Sequence, residues 1–474
     1  MATIPNKRQG GQPINKNGDE QQTHPTQQKK PRQSINAYKG WTVPQHNHSI
    51  QRIHRDDDDP QENPLTPQQF YQNYILQRRP VILHGKNLDG VIANFSKLRK
   101  SFASFPHLRR KAGHVQVSVE KRQHSAEDSS SPFGNGNEIE MTFSSFLDLI
   151  EKGNTDYYLT TQDVRSNRDG RPELMAPFMK LFRDDDDSFP LRPKLMGNLI
   201  PQNINLWIGN SESPEGASSG LHHDYHDNLY IVLKGKKKFR LFDPSEAENM
   251  YTRGELLKVH PNGRINYTGE DTTAYGADLK SDEAAKASRR KISAEKMLEA
   301  AEREVEQGVE GAEDRLELAE RAMDEALDAI LDAEEDEDDE GEADSDLQSK
   351  GGKEVQFDGE DCHSRTVVDK TVKNPNNFSK VEHNLLDNPE EIKRQYPKMS
   401  NAKAAFAVVN EGECLYLPAS WFHEVTSFGS DHAGHIALNY WFHPPDAEDN
   451  FENPYSSDFW PNDFRERFEN EKEK

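Results

Sequence analysis

Apolar positions are almost absent from residues 1–58, which are rich in Gln, Asn, Pro, Lys and His. That pattern predicts a disordered tail. From Pro64 the pattern changes. In LTPQQFYQNYILQRRPVILHG, Thr66 suits a helix N-cap and Pro67 the first helical position. Phe70, Tyr74 and Leu76 then give a short helix one apolar face, Pro80 ends it, and VILHG reads as a strand. VQVSVE at 115–120 alternates as a half-buried strand does, and Thr142 caps a second helix, FSSFLDLIEKG, that stops at Gly153. Short strand-like runs follow: YYLTT, NINLWIG, NLYIVL, KFRLF and, after a long gap, AAFAVVN, CLYLPA, HEVTSF and HIALNYWF. Many short strands punctuated by Gly, Pro and Asp predict a barrel or sandwich with helices packed outside it.

The gap, 268–375, differs in composition. Residues 281–331 are dominated by Ala, Glu, Arg and Leu and are predicted helical. Leu298, Val305, Val309, Leu316, Met323 and Ile330 fall on a heptad seam, with Ala312, Ala319 and Ala326 between them, and Gly308 and Gly311 weaken it. The coiled-coil pattern runs into DAEEDEDDEGEADSD, 332–346, a block expected to stay solvated. The domain reading is therefore a tail (1–58), the first part of one domain (59–267), an insertion (268–375), and the second part with a C-terminal tail (376–474). The insertion is either a solvated spacer or a docking arm for a basic partner.

Charge and cysteine content narrow the function. The 474 residues carry 59 Lys and Arg against 83 Asp and Glu, a net charge of −24. That argues against general binding to nucleic acid or anionic membranes and leaves basic proteins open as partners. Two cysteines, Cys362 and Cys414, imply no disulfide framework and favour a reducing compartment, cytoplasmic or nuclear. No apolar run approaches transmembrane length. The basic cluster KKPR at 29–32 fits a minimal nuclear signal and fits equally a solvated tail.

The chemistry concentrates in GLHHDYHDNLYIVLKGKKKF, 220–239. On a strand, side chains two apart share a face, so His222 and Asp224 point one way and His223 the other. An imidazole and a carboxylate on one side are two-thirds of the 2-His-1-carboxylate set that leaves a face of Fe(II) open. His226 makes a local competitor, His222/Asp224/His226. NLYIVLKGKKKFRLF reads as a hairpin turning at Gly235. Beyond it Lys237 shares parity with Phe239 and Leu241, hence points into the barrel, where a lysine needs an anionic partner such as a dicarboxylate co-substrate. The alternative is a solvated turn of three lysines. GECLYLPASWFHEVTSF is the best place for a distant third ligand, His423; His432 and His435 lie in a Gly/Ser/Asp loop and rank lower. Asn439, polar in the apolar strand HIALNYWF, needs a partner if buried, and a ligand carboxylate is one.

Three stretches, LHHDYHDNLYIVLKGKKKFRLFDP, INLWIG and GECLYLPASWFHEV…IALNYWFH, resemble the jumonji-C Fe(II)/2-oxoglutarate oxygenases, small hydroxylase branch. The likeness covers roughly 60–265 and 375–450, and the NPLTPQQFYQNYILQRRPVIL opening and LYLPASWFH point to the lysyl hydroxylases of that branch, which act on developmentally regulated GTP-binding proteins. The resemblance implies a double-stranded β-helix, a cupin-like jelly roll, interrupted by the insertion. It implies His222, Asp224 and His423 as iron ligands. Lys237 would bind the distal carboxylate of 2-oxoglutarate, assisted by Tyr158, Ser219, Asn228 and Asn439, with Trp207 in the strand beside the site. The interval from His222 to His423 is far longer than the family's, and the insertion accounts for it. The implied substrate is a protein, a GTP-binding or a basic one, and related enzymes dimerise through C-terminal helices, a role open to 446–474.

Three functions follow from these residues: a protein lysyl hydroxylase, an N-methyl-lysine demethylase using the same oxidant, and a non-catalytic binding module with an acidic arm. Against the second, two cysteines cannot build a Cys-rich zinc reader module. Against the third, a binding module has no need of all three ligands together with Lys237.

Overall fold

The structure is a computed structural model. It describes residues 35–46, 48–53, 65–84, 88, 92, 95–122, 137–162, 178, 189–211, 215–338, 375–429, 434–447 and 450–466, with the backbone alone for 332–338. Sixteen strands are described: β1 Arg52–Ile53, β2 Val81–Leu83, β3 Gln116–Lys121, β4 Asn137–Thr142, β5 Tyr157–Leu159, β6 Pro201–Gly209, β7 Ala217–Ser218, β8 His222–His223, β9 Asp227–Lys234, β10 Lys236–Phe242, β11 Leu256–Val259, β12 Ile265–Tyr267, β13 Ala405–Asn410, β14 Cys414–Leu417, β15 Phe422–Phe428 and β16 His435–Phe442. Nine form one sheet in the order β1-β2-β14-β9-β16-β6-β5-β3-β4; a smaller sheet runs β13-β10-β15-β7, with β8 also paired to β15.

Strand alternation builds two cores from this arrangement. Along β9, Leu229, Ile231 and Leu233 join a cluster with helices Phe95–Phe102, Phe105–Ala112 and Phe143–Glu151 on the outer face of the large sheet. Tyr230 and Val232 point the other way, into a cluster with Phe239, Leu241, Ala405, Ala407 and Val409 from the smaller sheet and Trp421 just ahead of β15. This is the jelly-roll interior, and the functional side chains face it.

Local signals hold where they are chemical. Thr66 closes a capping box with Gln69 ahead of helix Pro67–Phe70, and Thr142 caps Phe143–Glu151, with Gly153 at φ +79° beyond it. VQVSVE supplies most of β3, but Val117, Ser118, Val119 and Glu120 are all buried rather than alternating.

Three expectations need correction. The folded region starts well before Pro64: Val43 and Ile50 are buried, Trp41 stacks on Trp421 at 5.8 Å, and β1 pairs parallel with β2. These anchors are single apolar residues without a period, so the pattern hid them. Residues 1–34 lie outside the described residues. Second, β9 and β10 are no hairpin. Gly235 does turn the chain, at φ +81°, but β9 pairs with β14 and β16 while β10 pairs with β13 and β15. The turn is the corner where the chain changes sheets, and a Cβ at Gly235 would lie 2.5 Å from the Phe428 carbonyl oxygen. Third, Gly308 and Gly311 do not weaken one long helix. At φ +66° and +74° they flank the turn between two helices, Leu279–Glu306 and Ala312–Asp338, that pack on each other. The buried seam is alanine, at 287, 294 and 301 on one helix and 312, 319 and 326 on the other. Leu298, Leu316, Met323 and Ile330 sit half-buried beside it, and Val305 and Val309 are exposed. Small side chains let the helix axes approach closely and push larger ones to the flanks. The acidic block is helical to Asp338; residues 339–374, Cys362 among them, lie outside the described residues.

The arm is rooted in the molecule. Tyr275 and Ala277 pack with Ile200, Tyr455, Phe459, Trp460 and Phe464, and Trp460 Nε1 donates to the Tyr275 carbonyl at 2.8 Å. The C-terminal segment therefore closes on its own chain.

One buried ion pair ties the turn ahead of β2 to β9. Arg78 grips Asp227 with two nitrogens, and Asp227 also accepts from Tyr416 Oη at 2.8 Å and Ala419 N at 2.9 Å. Removing the arginine leaves a desolvated carboxylate. Arg78→Met is expected to lower unfolding stability by about 3–5 kcal/mol, measured as the shift of the urea midpoint against wild type; a shift under about 1 kcal/mol contradicts the assignment.

Candidate metal and 2-oxo-acid site

His222 lies in β8 and pairs in register with His423 in β15; Asp224 follows β8 directly. One donor atom from each lies within 4.8 Å of the others, a group that can hold a metal ion. His423 Nε2 is 3.6 Å from Asp224 Oδ2. The structure thus brings together the distant pair that the sequence placed 201 residues apart (423 − 222). The local competitor is not assembled: His226 stacks on Trp441 at 5.7 Å and stands outside the group. His223 points away, bonded through Nε2 to Tyr267 Oη at 2.8 Å.

The two imidazoles are held in one tautomer. His222 Nδ1 lies 3.1 Å from the Gly220 carbonyl and His423 Nδ1 2.8 Å from the Trp421 carbonyl. A carbonyl can only accept, so each Nδ1 carries the hydrogen and each Nε2 keeps its lone pair. Burial, with the neighbouring His423, lowers the His222 pKa to about 4, so this ring is neutral at pH 7. The donor set fits a divalent metal of the kind bound by a facial 2-His-1-carboxylate. The Phe378 ring stacks on His222 at 4.8 Å and 12°. Phe378 belongs to the segment after the insertion, which runs beside β8: Ser379 N donates to Leu221 O at 2.9 Å and His223 N to Asn377 O at 3.2 Å.

Deeper in the barrel, Lys237 is fully buried, on the face of Phe239 and Leu241 as its parity required. Its Nζ lies 2.6 Å from Ser427 Oγ, 3.2 Å from His435 Nδ1 and 5.8 Å from the centre of the Tyr158 ring. Among the described residues no carboxylate pairs with it. Burial lowers its pKa to about 7. A buried ammonium with hydroxyl and imidazole neighbours but no counter-ion fits the charged end of an acidic ligand. On the interior face of the large sheet, Asn439 Oδ1 accepts from Trp207 Nε1 at 2.8 Å and Asn439 Nδ2 donates to Asn228 Oδ1 at 3.0 Å. Ser219 Oγ is held by backbone, donating to Gly220 O at 3.0 Å and accepting from Val425 N at 3.0 Å.

The sequence did not place two residues, Ser427 and His435, beside the lysine. Ser427 is four past His423 on β15, hence on the same inward parity. His435 is not in a loop but opens β16, on the parity of Ala437 and Asn439. Parity counted outward from His423 and Asn439 would have found both.

Residues 67–448 match the cupin-like domain model. The chain is 33% identical over 456 residues to JmjC domain-containing protein 4 of Schizosaccharomyces pombe, covering 89% of this chain and 90% of that protein. It is 27% identical over 188 residues to the human bifunctional peptidase and (3S)-lysyl hydroxylase JMJD7, 39% of this chain and 54% of that one. A shorter match, 30% over 79 residues, reaches the lysine-specific demethylase JMJ32 of Arabidopsis thaliana, 17% of this chain and 20% of that one. The chain belongs to the JmjC, cupin-like domain family. Oxygenases of this family typically use Fe(II) and 2-oxoglutarate.

Proposed function

We propose that this protein is an Fe(II)- and 2-oxoglutarate-dependent hydroxylase of a lysyl residue in a protein substrate. The observation that carries the reading is a His222/Asp224/His423 group and an uncompensated buried lysine, Lys237, facing one jelly-roll interior. His222 and His423 would ligate through Nε2 and Asp224 through a carboxylate oxygen. Lys237 would hold the distal carboxylate of 2-oxoglutarate. Tyr158, Ser219, Asn228 and Asn439 would line the co-substrate site. When bound, the iron and 2-oxoglutarate supply an oxidant from oxygen, with succinate and carbon dioxide released. The chain's own part is geometric: it fixes the tautomers, orients the diacid from its far end, and keeps the interior dry between two packed sheets.

The lysyl hydroxylase relative shares a longer stretch with this chain than the demethylase relative does, which favours hydroxylation. Incubation with lysine-containing protein substrates separates the two. Hydroxylation leaves a stable product heavier by one oxygen atom. Formaldehyde released from methylated lysine, without such a product, would replace this reading by demethylation.

The lysine also sets a pH dependence. Free Lys237 holds its proton only below about pH 7. A bound dicarboxylate favours the charged form and raises that value, so binding takes up a proton above pH 7. Affinity for 2-oxoglutarate on the Mn(II)-loaded protein is expected to be flat below about pH 7 and to weaken towards tenfold per unit above it. Titration calorimetry across that range checks this, and a flat profile contradicts it.

A further inference from the structure

The carboxylate end of the site contains one more group with an unmet need. His435 is 1% exposed, and its Nδ1 lies 3.2 Å from Lys237 Nζ. When Lys237 is charged, the form that holds a diacid, it only donates, so Nδ1 is the acceptor. A neutral imidazole that accepts at Nδ1 carries its hydrogen on Nε2. That Nε2 is buried and has no hydrogen-bond partner among the described residues. Buried donors in folded proteins are nearly always paired, so an unpaired one beside an uncompensated lysine marks where an acceptor belongs. The neutral form is also the one this place enforces, since burial and the Lys237 charge both push the His435 pKa well below its ordinary value.

The space around it is built. Gly209 in β6 stands opposite both His435 and Tyr158 in register. A Cβ at Gly209 would fall 2.4 Å from Tyr158 Cδ2 and 3.3 Å from His435 Cε1. Only a glycine there lets both rings close over the Lys237 ammonium. The Ser427 hydroxyl, which takes a hydrogen bond from Lys237, completes the group.

We propose that His435 is a binding residue of this site: it accepts a hydrogen bond from Lys237 at Nδ1 and donates one from Nε2 to the distal carboxylate of a 2-oxo diacid. The inference rests on the 2-oxoglutarate reading given above. It assigns to the far end of the ligand two fixed donors, one charged and one neutral, on opposite strands of the two sheets. A 2-oxo acid that ends in a methyl group would leave the ammonium without a counter-ion and Nε2 without an acceptor.

The test is the affinity of the full-length, Mn(II)-loaded protein for 2-oxoglutarate, by calorimetry, in wild type, His435→Asn, His435→Gln and Lys237→Ala. An asparagine amide can stand near Nδ1 but cannot reach the Nε2 position; a glutamine amide can. His435→Asn is expected to weaken binding about tenfold, the loss of one hydrogen bond to a charged group, while His435→Gln recovers most of it. In the Lys237→Ala background His435→Asn is expected to cost less than it does alone, because the two side chains act on one carboxylate. Mn(II) affinity unchanged in all variants shows that the fold and metal group are intact. Wild-type affinity in His435→Asn, with Lys237→Ala weakened, overturns the role of His435 and leaves the oxygenase reading standing. Absence of 2-oxoglutarate binding by the wild type, or no effect of Lys237→Ala, removes that reading and this inference with it.

Discussion

Asp224→Ala is expected to abolish tight divalent-metal binding, and with it turnover. The metal group contains three donors, and Asp224 is the one that brings negative charge. His222 is neutral at pH 7 because burial and His423 hold its pKa to about 4. Two imidazoles remain in the variant, with no carboxylate to match a divalent ion. Loss of an outer-shell partner alone commonly costs about 10–100-fold in metal affinity, and loss of a ligand should exceed that range. Equilibrium dialysis with Mn(II) or Fe(II) followed by elemental analysis measures it directly. His423→Ala should behave the same way, while His226→Ala should retain metal, because His226 stacks on Trp441 rather than joining the group. Metal retained in His423→Ala but lost in His226→Ala would restore the local His222/Asp224/His226 alternative.

Lys237→Met is expected to lose 2-oxoglutarate affinity by about 100-fold, roughly 3 kcal/mol, since truncating one partner of a buried charge pair costs about 2–5 kcal/mol. Mn(II) affinity should not change, because the lysine is no part of the metal group. The same variant is expected to be at least as stable as the wild type without ligand. Folding strips Lys237 of water and gives it Ser427 and His435 but no carboxylate. Its pKa falls from 10.5 to about 7, so the unfolded chain binds the proton more tightly than the folded one at neutral pH. Between those two values the ligand-free wild type gains stability as pH rises, and a methionine removes that dependence. Thermal unfolding of both proteins at pH 7 and pH 9, with and without 2-oxoglutarate, separates the effects. A methionine variant that is markedly less stable without ligand would mean that Lys237 is structural.

Much of this site was legible because it is written in short-range terms. His222 and Asp224 are two residues apart, Lys237 shares parity with Phe239 and Leu241, and Asn439 interrupts an apolar strand. Each is a statement about one strand and its two faces. The corner at Gly235 was not legible. A tight turn between two strands looks alike whether the strands pair with each other or part into separate sheets. The deciding contacts of β10 are with β13 and β15, more than 160 residues on. The arm failed in another way. Large apolar residues drew the heptad seam, yet the alanines form the buried contact, since small side chains allow closer approach than leucines do. The early anchors Trp41, Val43 and Ile50 had no period to show, because each fills a separate place on the barrel's wall.

The central claim is that this protein couples 2-oxoglutarate to oxygen at His222, Asp224 and His423. The most direct test is succinate formation by the purified full-length protein with Fe(II), 2-oxoglutarate and oxygen, beside Asp224→Ala, with Mn(II) and 2-oxoglutarate binding measured on the same samples. The account predicts succinate and co-substrate binding from the wild type and neither from the variant. A wild type that binds no 2-oxoglutarate and forms no succinate would contradict it and leave a JmjC barrel acting as a binding module.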